Sequence, residues 1–294
     1  MGLQLPKRVQ RVAAGTMLGS SLLLVGSCSA EDKAQAERWA MPATSPATEQ
    51  AVHIAELWKW AWIALLITGA VVWFLIFFAS WRFRRRSEDE IPVQTRYNLP
   101  VEVFYTIFPV IMVLVFFFHT VEVQNKILEH DPDPDHVVQV VGQQWSWTFN
   151  HSDDPKDLEG PVHYTSGTAS KIPTLVLEVD KTTEFKLSSP DVIHSFWIPA
   201  FLMKMDVIPG QAGEERNSFQ VTPTKVGTFK GKCAELCGTY HSRMLFDVKV
   251  VTADEYAAYL AQLEADGFTA DAPLLGGSDA VTQANANTNH GGEE

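Results

Sequence analysis

The sequence predicts two membrane-spanning helices in an antiparallel hairpin, followed by an all-β domain outside the membrane. Three observations carry that reading. Two long apolar runs, at 60–81 and 103–121, contain no Asp, Glu, Lys or Arg. A cluster of arginines, Arg82, Arg84, Arg85 and Arg86, follows the first run directly. From residue 137 onward the pattern changes to short Val-, Phe- and Thr-rich runs separated by turn residues.

The chain begins with a signal peptide over 1–27. Lys7, Arg8 and Arg11 give a basic start, an apolar stretch follows over 12–25, and small residues precede Cys28 in Leu24-Val25-Gly26-Ser27-Cys28. That ending resembles a bacterial lipobox, so Cys28 is expected to be lipidated and to become the first mature residue; the plain alternative is an ordinary secretory signal with an incidental cysteine. Residues 28–52, rich in Ala, Glu, Pro and Thr, form an extracytoplasmic segment without apolar periodicity.

The hairpin occupies 53–121. At about 1.5 Å per residue the 60–81 run reaches roughly 33 Å, enough to cross a bilayer. Trp58, Trp60, Trp62 and Trp81 lie near its ends, as interfacial aromatics do. The arginine cluster marks the cytoplasmic side, so the first helix runs inward and the second returns the chain outside. A pair of buried helices in a soluble protein would need neither the arginines nor the export signal.

Residues 122–136 contain Glu-His-Asp-Pro-Asp-Pro-Asp-His, a charged segment broken by prolines, and read as a linker. Strands are expected at 137–141, 145–149, 174–179, 184–187, 218–221, 227–231 and 244–251, and a short helix at 253–265. Many short strands without long intervening helices indicate a β-sandwich over 137–267. The Gly-, Asn-, Thr- and Ala-rich stretch 268–294 is expected to be a disordered tail.

Composition sets the broad class. The 294 residues are 46% hydrophobic and 20% charged, with a formal net charge of −12. An acidic outer domain argues against nucleic acid; it suits a basic protein partner, or simply keeps an exported domain soluble. The three cysteines, Cys28, Cys233 and Cys237, are too few for a disulfide scaffold.

The chemistry concentrates in Cys233-Ala-Glu-Leu-Cys237-Gly-Thr-Tyr-His241-Ser-Arg-Met244. Upstream, Asp191-Val-Ile-His194-Ser-Phe supplies a second histidine from another loop. Thiolate, imidazole and thioether together select copper among the common metals. A mononuclear blue-copper site needs one cysteine; two thiolates can bridge two coppers, with one histidine on each. A disulfide between the cysteines would leave His194, His241 and Met244 unexplained. Zinc would accept two cysteines and two histidines but has no use for Met244.

These motifs, with Gly142-Gln-Gln-Trp-Ser-Trp147 and the preceding hairpin, resemble cytochrome c oxidase subunit II across roughly residues 50–265. The variants Cys-Ala-Glu-Leu-Cys and Gly-Thr-Tyr-His, with the lipobox, look most like actinobacterial aa3-type subunits. The resemblance implies a cupredoxin-like Greek-key barrel. It implies a binuclear copper centre, CuA, held by His194, Cys233, Glu235 through its carbonyl, Cys237, His241 and Met244. It further implies that Trp145 is the electron entry point, and that the Glu235 carboxylate binds magnesium at the boundary with subunit I. Glu102 would stand at the mouth of a proton path. For Trp145 the plain alternative is a core tryptophan, and for Glu102 it is favourable charge at a helix N-terminus.

The implied function is one-electron relay from a c-type cytochrome, soluble or membrane-bound in a bc supercomplex, to the haem of subunit I. Oxygen reduction and most proton pumping would belong to subunit I, with subunits I and III as partners and haem only in partner subunits. No Cys-x-x-Cys-His occurs, so no haem c is expected on this chain. The implied location is the bacterial cell membrane, multi-pass, with the C-terminal domain outside. Two other readings share parts of the motif: the CuA subunit of a nitric oxide reductase-like enzyme, and an extracytoplasmic copper chaperone. A chaperone of that kind has one anchor helix and its histidine after the cysteines, whereas His194 precedes them here.

Overall fold

The computed structural model describes residues 45–277 except 89, 92, 157–158, 169 and 211–216. The signal peptide and the Cys28 lipidation site lie outside the described residues.

Two helices lead the chain: α1 (Glu49–Arg82) and α2 (Leu99–Ile127), with mean hydropathies of 2.5 and 2.4 over their most apolar windows. Both are longer than their uncharged cores. The extra turns are polar, and each start is fixed by a side-chain cap. The Thr48 hydroxyl accepts the Ala51 N–H, and the Asn98 side chain accepts the Val101 N–H, with Pro100 placed where a missing N–H costs nothing. Pro109 is tolerated inside α2. The apolar faces of both helices are exposed in the isolated chain, as lipid- or partner-facing surfaces must be.

The domain that follows packs two sheets face to face. Its strands are β1 (His136–Gln143), β2 (Ser146–Ser152), β3 (Val162–Ser166), β4 (Thr174–Glu178), β5 (Thr183–Ser188), β6 (His194–Ile198), β7 (Met203–Val207), β8 (Ser218–Val221), β9 (Gly227–Cys233), β10 (Leu245–Val251) and β11 (Thr269–Ala270). One sheet has the order β11-β3-β2-β1-β5-β8 and the other β4-β10-β9-β6-β7. The β1–β5 and β10–β4 pairs are parallel and the remaining pairs antiparallel, so the chain crosses repeatedly between sheets. The helix α3 (Ala253–Ala265) starts in a capping box formed by Thr252 and Glu255 and packs against β3 and β4 at one edge of the sandwich.

Between the sheets lies an aromatic core. Phe196 of β6 stacks on Phe246 of β10 at 4.8 Å and 9° between ring planes. Trp147, Phe149, Phe185 and Phe219 from the facing sheet meet Phe196 within 6.3 Å. All six rings are almost wholly withdrawn from water. Such burial stabilises by about 1.5–3 kcal/mol per large side chain. It also makes a stiff frame beneath the end of β6 and β9, where His194 and Cys233 sit.

Several expectations are corrected. Trp145 is not a strand residue: β2 starts at Ser146, and Trp145 occupies the β1–β2 turn. His194 opens strand β6 rather than sitting on a loop. Strands β3, β6, β7 and β11 were not foreseen. For β6 and β7 the cause is punctuation, because Pro190, Pro199 and Pro209 make 190–209 read as loop although the pieces between them pair.

The linker is also less free than its composition implies. The buried Gln220 amide accepts the Asp131 N–H at 2.7 Å and donates to the Asp131 carbonyl at 2.8 Å. Asp135 accepts from Lys181 and from the Thr182 N–H. The expected disordered tail does not begin at residue 268. Thr269 and Ala270 pair with His163 and Val162, and 274–277 lie against the sheet through backbone groups that composition does not report. Residues 278–294 lie outside the described residues.

Just before α1, the chain is stitched into the β-domain. Ala47 donates to the Ala200 carbonyl at 3.1 Å and accepts from Thr224 N–H at 2.9 Å. Glu49 N–H donates to the Thr222 carbonyl at 3.1 Å, and the Gln50 side chain accepts the Thr222 N–H at 3.0 Å. The first membrane helix therefore starts on the domain itself.

Candidate metal centre

Four segments converge at one end of the sandwich: the β1–β2 turn, the loop ending at His194, the end of β9, and the loop from residue 234 to Met244. Backbone bonds set their registry. Cys233 N–H donates to the Met244 carbonyl, and Ala234 N–H to the Ser195 carbonyl, both at 2.9 Å. The ligand loop is thus sewn to β6 at its start and to itself at its end. A short 3-10 turn, His241–Arg243, brings His241 back toward Cys237.

The soft atoms gather tightly. Cys233 Sγ and Cys237 Sγ are 3.8 Å apart. His194 Nδ1 lies 3.9 Å from Cys233 Sγ, and His241 Nδ1 lies 3.5 Å from Cys237 Sγ. Met244 Sδ is 3.7 Å from Cys237 Sγ, and the Glu235 carbonyl oxygen is 3.2 Å from Cys233 Sγ. His194, Cys233, Cys237 and Met244 are all buried. The cysteines are free thiols rather than a disulfide. Among the described residues, His194, Cys233 and Cys237 form the group of His, Cys and carboxylate donors close enough together to hold a metal ion.

Electrostatics point the same way. The Cys233 thiol is held well below its ordinary value, chiefly by its hydrogen bond with Cys237 and further by His194, against the cost of burial. Cys237 is pushed far up by the same bond, by burial and by the charge of Cys233. The pair therefore gives up one proton easily and keeps the other, because two bare thiolates repel in a buried site. Cationic charge between the sulfurs would relieve that repulsion, and the buried sulfur–nitrogen donor set fits copper.

Outside the donors stands a second layer that sequence reading missed. Asp191 Oδ1 contacts His194 Nε2 at 2.9 Å, which turns His194 Nδ1 toward the sulfurs. Burial pushes the Asp191 carboxyl up, but His194 and the N–H groups of Gln144 and Val192 outweigh it and hold it low. His194 shows the mirror balance: burial lowers it, and Asp191 with Cys233 raises it on balance. The signal available in the sequence was the carboxylate three residues before the histidine. Gln144 Nε2 donates to the Cys237 carbonyl at 2.7 Å, and Trp147 Nε1 to the Met244 carbonyl at 3.3 Å.

Trp145 is half-buried against the same loop. Its Nε1 donates to the Cys237 carbonyl at 3.2 Å, and its ring meets Tyr240 edge-on at 5.1 Å. Gly238, at φ +121°, allows this approach: a Cβ there would stand 3.1 Å from Trp145 Nε1. Trp145 is thus one hydrogen bond from Cys237, and it packs partly buried against the edge of the core. The Glu235 side chain is exposed. Glu102 lies far away in sequence and fold, in the first turn of α2, where its Oε1 accepts the Asn98 N–H at 2.8 Å.

The sequence matches two family profiles: "Cytochrome C oxidase subunit II, transmembrane domain" over residues 35–123 and "Cytochrome C oxidase subunit II, periplasmic domain" over 136–251. It is 41% identical to the probable cytochrome c oxidase subunit 2 of Streptomyces coelicolor, over 97% of this chain and 95% of that one. It is 37% identical to cytochrome c oxidase subunit 2 of Mycobacterium tuberculosis, over 86% and 82% of the respective chains. Among solved structures, the periplasmic domain of subunit II of cytochrome oxidase (CoxB) of Bradyrhizobium japonicum is 29% identical, covering 47% of this chain and 98% of that one, with a TM-score of 0.40.

Proposed function

Because the chain belongs to the cytochrome c oxidase subunit II family, we propose that its buried sulfur–imidazole cluster holds the binuclear copper centre CuA and that the chain relays electrons from a c-type cytochrome to the haem of subunit I. The single observation that carries this reading is the convergence of two thiols, two imidazole Nδ1 atoms, a thioether and a carbonyl around a buried pair of cysteines. Cys233, Cys237, His194 and His241 would hold the coppers, with Met244 and the Glu235 carbonyl as the weaker donors. When bound, the pair of coppers supplies a one-electron carrier spread over two metals.

The rest is the work of this chain's residues. Asp191 fixes the imidazole of His194, and the stacked aromatic frame keeps the ligand loop from moving as charge changes. Trp145 offers a half-exposed ring joined to the Cys237 carbonyl, a short path for electron entry. The exposed Glu235 carboxylate would take magnesium at the boundary with subunit I, since a hard oxygen donor suits that ion. Glu102 would serve at the entrance of a proton path by exchanging its bond to Asn98 N–H for water in the assembled enzyme. Subunits I and III are the proposed partners, in a bacterial cell membrane with the β-domain outside and Cys28 lipidated on the same side.

Metal analysis and electron paramagnetic resonance of the purified chain test the assignment. About two coppers per chain and one unpaired electron shared by both nuclei are expected. A single-copper pattern, or a colourless zinc protein, would sink it.

The entry role of Trp145 has its own measurement. Trp145→Phe is expected to slow oxidation of the reduced cytochrome by about tenfold, a barrier increase of ~1.4 kcal/mol, with the copper spectrum nearly unchanged. Stopped-flow mixing reads this directly. An unchanged rate would return Trp145 to a packing role.

A further inference from the structure

The segment after β11 does something that the copper reading does not use. From β11 at the sheet edge the chain doubles back over the outer face of β1 and β2. Side chains alternate along these strands. Val138, Val140, Trp147 and Phe149 point into the core, so Gln139, Val141, Gln143 and Asn150 point the other way. Yet Gln139 and Asn150 are fully buried, and Asn150 receives the doubling-back chain directly.

Two side-chain amides hold it. Asn150 Oδ1 accepts the Leu274 N–H at 3.0 Å, and its Nδ2 donates to the Leu274 carbonyl at 3.2 Å. Gln143 Nε2 donates to the Gly277 carbonyl at 3.0 Å, and its Oε1 accepts the Gly277 N–H at 3.3 Å. Each amide pairs reciprocally with one backbone residue, as a neighbouring strand would. Asn150 faces Gln139 in the ladder and Gln143 faces Ser146, so the segment runs along β1 toward the metal end.

At that end it bears on two of the pieces that grip the ligand loop. Gln143 precedes Gln144, which donates to the Cys237 carbonyl and whose N–H is held by Asp191. Gly276 packs against Pro190, the residue before Asp191. A Cβ on Gly276 would stand 2.5 Å from Gln143 Oε1 and 2.9 Å from Pro190 Cγ, and its φ of +78° already favours glycine. Asp191 in turn orients His194. One short segment therefore contacts the supports of both a cysteine of the cluster and an imidazole.

We propose that Leu274–Gly277 is a positioning strap for the metal centre, restraining Gln144 and Asp191 from outside through Gln143 and Pro190. The proposal rests on the copper reading above. Its residues touch no metal; they act by narrowing the motion of the groups that hold the ligands.

The test uses the full chain in its purified oxidase, with Gln143→Ala, Gly276→Ala and a truncation after residue 273. Copper release to a chelator under reducing conditions, the copper hyperfine pattern and the thermal unfolding temperature are measured together. Outer-shell changes typically cost metal sites 10- to 100-fold, so a support one layer further out is expected to give about tenfold faster release. Starting copper content should match wild type, and the hyperfine pattern should shift. Wild-type release and hyperfine pattern in both point variants, from protein that holds two coppers, would overturn the strap alone. Faster release matched by an equal destabilisation of the copper-free chain would also overturn it, because the segment would then be general support. A wild-type chain that holds no copper pair would take the copper reading and the strap down together. If the truncated chain fails to accumulate, the two point variants decide.

Discussion

Replacing Cys237 by serine is expected to abolish the binuclear centre. Cys237 is the hub of the cluster: its sulfur lies 3.8 Å from Cys233 Sγ, 3.5 Å from His241 Nδ1 and 3.7 Å from Met244 Sδ. A hydroxyl is a hard donor, so soft copper would lose the thiolate that lies nearest to three of its other donors. Copper content should fall from about two per chain to about one or none, and electron transfer from the cytochrome should stop. Met244→Leu is the contrasting case. It removes one weak donor and replaces it with a side chain of similar volume, a swap that costs a packed core under about 1.5 kcal/mol. The pair of coppers should form, with a changed colour and potential. Complete copper loss in Met244→Leu, beside a normal spectrum in Cys237→Ser, would reverse the assigned roles.

The second large effect concerns stability. Phe196→Ala should destabilise the β-domain by about 3–5 kcal/mol, the usual range for deleting a buried aromatic ring. Phe196 is fully buried, stacks on Phe246 and meets rings from the facing sheet, so no single neighbour can close the void. It also lies opposite Cys233 in the β6–β9 ladder. The variant should therefore lose copper at temperatures where wild type keeps it. Scanning calorimetry of the purified complex measures the shift, and a shift of only a degree or two would mean that the two sheets do not depend on this stack.

The parts of the chain that depend on side-chain chemistry were readable in advance. The helices announced themselves by uninterrupted apolar runs, and the donor loop by four soft or borderline ligands within a few residues. Helix α3 matches the expected 253–265, and the structure shows the capping box of Thr252 and Glu255 that fixes its start. What escaped was decided by backbone pairing. Strands β6 and β7 sit between prolines, and only the pairing of β6 with β7 and β9 reveals them as strands. Trp145 looked like the start of a strand because its neighbours alternate; its place in a turn follows from where β1 and β2 exchange their last bonds, at Gln143 and Ser146. Asp191 carried no mark beyond its spacing from His194. The stretch 274–277 has the composition of a free tail, but Asn150 and Gln143 bind its peptide groups, and peptide groups are the same in every sequence.

The stitching of residues 47–50 to Ala200, Thr222 and Thr224 has a consequence for how the protein is made. Translation delivers α1 well before the residues that complete its start. The Glu49 N–H meets its acceptor only when Thr222 has been synthesised and exported. These contacts bridge more than half the chain, and closing a loop of that length is slow compared with forming a hairpin. The two helices must therefore enter the bilayer while the outer end of α1 is still untethered. Only the finished sandwich then locks its own orientation above the membrane. A nascent chain arrested before residue 200 should expose 45–50 to an external protease, and the completed chain should protect it.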